Sequence, residues 1–182
     1  MRDEKEILEK CRKNDRIGQK ALFDKYAPRM MSVCIRYTNS SDDAKDVLQE
    51  GFIKVFEKIE MYSGSGSLEG WIRKIMVNTA LDRIRKYKHE QNKASIDDVS
   101  FMLGKAESTT SKLAAKDLMA LVNSLPGGYK TVFNLFAIEG YTHAEIGEML
   151  NISENTSKSQ YSRARAHLQK MLEQIEENVE QQ

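Results

Sequence analysis

From Tyr141 to Met171 the chain follows a 3.6-residue apolar period twice, and the interruption at Asn151-Ile152-Ser153 leaves room only for a turn. Such a pair of short helices forms a helix-turn-helix. The first helix is predicted from about Thr142 to Leu150, with Ile146, Met149 and Leu150 on its buried side and Gly147 allowing close approach. Ser153 has the chemistry of an N-cap, its hydroxyl accepting from a free amide of the next turn, and Glu154 suits a positive helix start. The second helix therefore begins near Glu154. Ser157, Tyr161, Ala164, Leu168 and Met171 fall on one inward stripe. The other side presents Asn155, Lys158, Ser159, Ser162 and Arg163, amide, hydroxyl and cationic groups suited to base edges and phosphates in a major groove. The alternative is a hairpin whose polar face is merely solvated. Lys158, Arg163, Arg165 and Lys170 against Glu154 make this helix locally basic in a chain of net charge +1, which favours nucleic acid.

With 182 residues, 40% apolar and 30% charged, the chain can build one large or two small domains of a soluble globular protein. The start, Met1 to Glu6, is charged and lacks the apolar core of a signal peptide, and no segment is apolar enough to cross a bilayer. A cytoplasmic protein with no membrane insertion is expected. Cys11 and Cys34 have no paired spacing, and His89, His143 and His167 are scattered. Neither a metal site nor a disulfide framework is suggested, no cofactor is expected, and both thiols read as reduced and structural. Charge is segregated: Arg73, Lys74, Arg83, Arg85, Lys86, Lys88 and Lys93 face only Asp82 and Glu90 in one region, whereas the tail from Glu173 is acidic.

Strand signals are weak, and only Pro28 and Pro126 interrupt long helical periodicities, so the chain reads as all α. Helices are predicted over 3–13, 16–27, 29–38, 42–60, 67–89, 112–124, 127–139, 142–150 and 154–175. Residues 90–111 lose periodicity and gather Ser, Thr, Asp and Gly, the composition of a flexible linker. As a slack tether it would span roughly 26 Å; its apolar group Val99 to Leu103 is available for docking. The expected organisation is two small helical domains, 1–89 and 112–175, joined by this linker and followed by an acidic tail, 176–182.

In the helix from Asp42 to Glu60, Ala44, Val47, Leu48, Phe52, Val55 and Ile59 form a broad buried face, and Asp46, Gln49, Glu50 and Glu57 point away. Ile53 sits among those acids: a protein contact gives it a use, and a singly exposed isoleucine is the alternative. After Tyr62 comes a small polar loop, Ser63-Gly64-Ser65-Gly66-Ser67, and then a helix with Trp71, Ile72, Ile75, Met76 and Thr79 inward. On its other side Lys74, Asn78, Arg85 and Lys88 line up in a narrow stripe. A basic stripe beside a small polar loop suits the backbone and an unstacked base of single-stranded nucleic acid, a solvated helix face being the alternative.

The runs SSDDAKDVLQEGFIKVFEKI, SGSGSLEGWIRKIMVNTALDRIRK and SLPGGYKTVFNLFAIEGYTHAEIGEMLNISENTSKSQYSRARAHL, in that order and spacing, resemble the extracytoplasmic-function (ECF) sigma factors of bacterial RNA polymerase. The resemblance implies a promoter-recognition subunit, itself not an enzyme, whose first domain corresponds to region two and whose second corresponds to region four. It implies that Asp46, Gln49, Glu50 and Ile53 dock on the clamp coiled coil of core RNA polymerase. It implies that the Ser63 to Ser67 loop and the helix after it, with Asn78 at the matching position, capture a flipped base of the melted minus-ten element. Lys158, Ser159, Ser162 and Arg163 match the positions that read the minus-thirty-five element of promoter DNA. An anti-sigma factor is a further expected partner.

Two departures stand out. Where many members have Gly-Thr-Val-Lys-Ser, this chain has Asn155-Thr156-Ser157-Lys158-Ser159, which puts a serine at a normally apolar inward position and predicts looser packing or an altered helix angle. The loop is also unusually rich in Gly and Ser, so its base preference does not carry over. A competing reading is a DNA-binding regulator whose first domain senses a ligand, but no pocket with convergent polar groups or phosphoacceptor is evident. No phosphate-cradling glycine loop, metal cluster or activated nucleophile points to catalysis. Each domain carries few cations, so the free chain is expected to bind promoters poorly.

Overall fold

The computed structural model describes residues 4–93 and 115–180, with side chains described over 4–87 and 118–177. Among these residues every regular element is helical, without a strand, and the chain divides into two units. The expected linker beyond residue 93, including Val99 to Leu103, and the side chains of Lys88 and of the last five residues lie outside the described part.

Unit 1 contains α1 (Glu4–Arg12), α2 (Arg16–Tyr37), α3 (Ser41–Glu57), a 3-10 turn (Ile59–Met61) and α4 (Leu68–Lys93). The core forms where apolar faces meet: Leu22, Met30 and Val33 of α2, Ala44, Val47, Phe52 and Val55 of α3, and Leu68, Ile72, Met76 and Leu81 of α4 are all buried. The inward face predicted for α3 is buried at every position, and Ile53 is 57% exposed. Phe23 and Phe52 bring α2 and α3 together with ring centroids 4.7 Å apart.

Pro28 does not divide α2, contrary to the two separate helices predicted there. A proline inside a helix removes one hydrogen bond and costs about 3 kcal/mol. Here Tyr26 and Ala27 before it and Met30, Val33 and Cys34 after it belong to one continuous buried face. Each large buried side chain contributes about 1.5–3 kcal/mol, so packing outweighs the local defect. Pro28 and Asp24, whose carbonyl loses its amide partner, both lie on the exposed side.

Unit 2 contains α5 (Ala115–Asn123), α6 (Gly127–Phe133) running on into a turn of π-helix (Asn134–Ile138), α7 (His143–Leu150) and α8 (Glu154–Glu180). Val122, Leu125, Ala164 and Leu168 form its core, with Tyr129, Phe133 and Met171 packed around them. The continuous helix predicted over 127–139 widens instead at Asn134, whose carbonyl accepts from the Glu139 amide at 2.9 Å. Helix α8 also continues five residues past its predicted end at 175.

Candidate nucleic-acid interface and protein-docking surface

The turn between α7 and α8 is built from its caps. Thr142 and Glu145 form a reciprocal capping box at the start of α7. At its end Asn151 adopts the left-handed conformation (φ 54°), and the amides of Asn151 and Ile152 donate to the carbonyls of Glu148 (3.4 Å) and Gly147 (3.0 Å), the pattern of a Schellman turn. Ser153 then caps α8, its hydroxyl accepting from the Thr156 amide at 3.0 Å. Gly147 is where the turn folds back: a Cβ there would lie 2.9 Å from the Ile152 carbonyl oxygen.

These constraints fix the rotation of α8. Ser157 and Ala164 are fully buried and Leu168 nearly so, with Tyr161 and Met171 half-buried, which turns Asn155, Lys158, Ser159, Ser162 and Arg163 outward and exposed together. Lys158 is held by Glu154 at 2.7 Å, and this pairing draws the Glu154 carboxyl below the ordinary glutamate range. Both partners are half-exposed, so the pair is easily exchanged for a phosphate.

The inward serine at 157 has a partner. Its hydroxyl lies 2.9 Å from Nδ1 of His143, and that ring stacks on Phe136 with centroids 4.2 Å apart and planes 8° from parallel. Packing at this position is therefore close and polar: of the two outcomes predicted from the sequence, looser packing or an altered helix angle, the looser packing is not observed. The signal for it was available: a buried hydroxyl demands a partner, and His143 opens the preceding helix.

In unit 1, Ser63 to Ser67 are all exposed, with Gly64 and Gly66 at φ 81° and 79°. No neighbour lies within 4 Å of a Cβ built at either glycine, so the tip is open. Its stem is tied: the Arg12 guanidinium donates to the Tyr62 carbonyl (2.8 Å), the Tyr62 hydroxyl donates to the Gly66 carbonyl (2.8 Å), and the Ser67 hydroxyl accepts from the Gly70 amide (3.0 Å). Lys74, Asn78 and Arg85 are exposed on α4 as a stripe. Arg85 is paired with Asp82 at 2.6 Å, so the stripe is less basic than its composition implies.

Asp46, Gln49, Glu50 and Ile53 are exposed together on the outer side of α3. Glu50 pairs with Lys54 (2.8 Å), and Asp46 shares Arg83 with Asp43 (2.9 Å each). Arg83, counted by composition in the same basic region, lies half a helical turn away from Lys74 and serves as a cross-link from α4 to α3. Asp43 is held by the Ser40 hydroxyl foremost, with Arg83 and Tyr87 adding to it, and together these outweigh desolvation and keep its carboxyl below the ordinary aspartate range. Among the described residues no cluster of metal-ligating side chains occurs and no helix is long and apolar enough to cross a membrane.

The family models for Sigma-70 region 2 and Sigma-70 region 4 match residues 22–90 and 115–168, respectively. RNA polymerase sigma factor SigV of Bacillus subtilis is 31% identical over 70% of this chain and 75% of its own length. The chain belongs to the ECF sigma factors. SigE of Mycolicibacterium smegmatis is 31% identical over 83% of the chain, which spans only 60% of that relative's length; SigW of Bacillus subtilis is 25% identical over 94% of the chain and 97% of its own length. The sigma factor RpoE, solved in complex with the anti-sigma factor NepR from Bartonella quintana, has a similar fold, with a TM-score of 0.55 at 22% identity over 85% of this chain and 96% of that one. Helix α1 of this sigma factor precedes the region 2 match, yet supplies the Arg12 that ties the loop stem.

Proposed function

We propose that this sigma factor binds core RNA polymerase in the cytoplasm and directs it to promoters as a non-enzymatic subunit, reading two DNA elements with its two units and taking part in promoter melting. The observation that carries this reading is the rotation of α8, which buries Ser157, Ala164 and Leu168 and leaves Asn155, Lys158, Ser159, Ser162 and Arg163 exposed together at the start of a capped helix. Arg163 and Lys158 supply charge for guanine edges or phosphates, while Asn155, Ser159 and Ser162 supply neutral hydrogen bonds. That face reads the minus-thirty-five element in the major groove.

In unit 1 the open Ser63 to Ser67 tip receives an unstacked base of the minus-ten element, and Lys74, Asn78, Arg85 and Lys88 follow the single strand. The outer side of α3, with Asp46, Gln49, Glu50 and Ile53, docks on the polymerase clamp, and its isoleucine gives the contact an apolar centre in a charged rim. An anti-sigma factor regulates the protein by covering these surfaces.

The test is run-off transcription with purified core polymerase and a promoter library. Arg163→Ala weakens selection in the upstream element, and Asn78→Ala alters preference in the melted one. No start-site selection by the wild-type mixture would overturn the reading, and unchanged selection in both variants would overturn the residue assignments.

A further inference from the structure

We infer that His143 is a positioning residue for the recognition helix: held flat on Phe136, its ring fixes through Ser157 the tilt at which α8 presents its reading face. This rests on α8 reading the upstream element as proposed above. Ser157 is fully buried, so its hydroxyl must find its partner within the protein, and His143 Nδ1 supplies one at 2.9 Å. The ring is restrained by near-parallel stacking on Phe136, with the Tyr161 ring centroid 5.8 Å away. Phe136 belongs to the π-helical turn, so three successive elements meet at this contact. A serine hydroxyl both donates and accepts, so the bond survives whichever ring nitrogen carries the proton. Glu154 of α8 lies within electrostatic reach of the ring and is already paired with Lys158.

Location gives the bond its leverage. Ser157 lies between Asn155 and Lys158, in the first turn of α8, whereas the helix is held farther along by Ala164 and Leu168 against Val122 and Leu125. Apolar contacts are non-directional and tolerate small rotations, but a hydrogen bond has a preferred length and angle. The directional contact therefore sets the pitch of the segment that carries the readers. An apolar residue at 157 would fill the same space and leave that pitch to packing alone.

The experiment uses the full chain with core polymerase and four promoters that combine strong and scrambled upstream elements with strong and scrambled downstream ones. Ser157→Ala leaves the ring nitrogen without its partner; the double variant His143→Leu/Ser157→Ala removes both polar groups and restores an apolar contact. In each variant, preference for the strong upstream element falls by about tenfold, the scale of one good base contact, while downstream preference is unchanged. Wild-type upstream preference in the double variant, or equal loss at both elements, would show that the pair only supports folding and would overturn the inference. If the wild-type chain itself selects no start site, the premise fails and the inference with it; if it does and the variants select as well as it does, only the inference falls.

Discussion

At the scale of single residues, unit 1 is cross-linked by charge at one point. Arg83 bridges Asp43 and Asp46 across the α3–α4 contact, 23% exposed and so less screened than a surface pair. Arg83→Ala is expected to destabilise unit 1 by about 1–2 kcal/mol, read in a denaturant titration from the fluorescence of Trp71, the chain's single tryptophan. Asp43 also gives a pH signature. Its folded-state pKa is lowered, so its stabilisation is present at neutral pH and is lost as pH falls below about 4, where the unfolded carboxyl takes up a proton first. The wild type and Asp43→Asn should therefore differ in midpoint at pH 7 and converge below pH 4; a constant gap would contradict this. Both partnerships escaped the sequence because they join residues about 40 positions apart whose rotations must be known together. Ser157 was different: its inward position was legible from the 3.6-residue period, and only the identity of its partner required the fold.

At the scale of elements, helix phase was readable wherever one face is apolar, which is why every expected inward residue of α3 is buried. It failed where local and tertiary terms conflict. Pro28 signals a break locally, yet the buried face continues across it. Pro28→Ala is expected to stabilise unit 1 by about 1–2 kcal/mol, the helix gain being partly offset by a freer unfolded chain. An unchanged or lowered unfolding midpoint would contradict this. The π-helical turn left no sequence signal, because one extra residue in a ring of hydrogen bonds changes the phase of the downstream residues without changing composition. Gly147 was legible as a close approach but not by the group it approaches. Gly147→Ala should cost about 1–3 kcal/mol, since the carbonyl of Ile152 is backbone and must shift; a thermal melt of unit 2 measures it.

For the whole molecule, the expected two-domain all-α organisation is observed among the described residues. The ion pairs alter the electrostatic expectation in one direction: Arg83, Arg85 and Lys54 of unit 1 are already engaged within the chain. The free protein is therefore expected to bind promoter duplex with micromolar or weaker affinity. Its salt slope should be no steeper than about −4, since α8 offers Lys158, Arg163, Arg165 and Lys170 for phosphates. Fluorescence anisotropy across a salt series would reveal tighter or steeper binding if this is wrong. Unit 2 closes around Val122, Leu125, Ala164 and Leu168, and unit 1 around its own set of side chains. Nature can accordingly trade one half for a relative's without rebuilding the other. If the two units act as proposed, such a hybrid would inherit its upstream vocabulary from one parent and its point of strand opening from the other, and new regulons would arise by recombination instead of by the slow revision of a single interior.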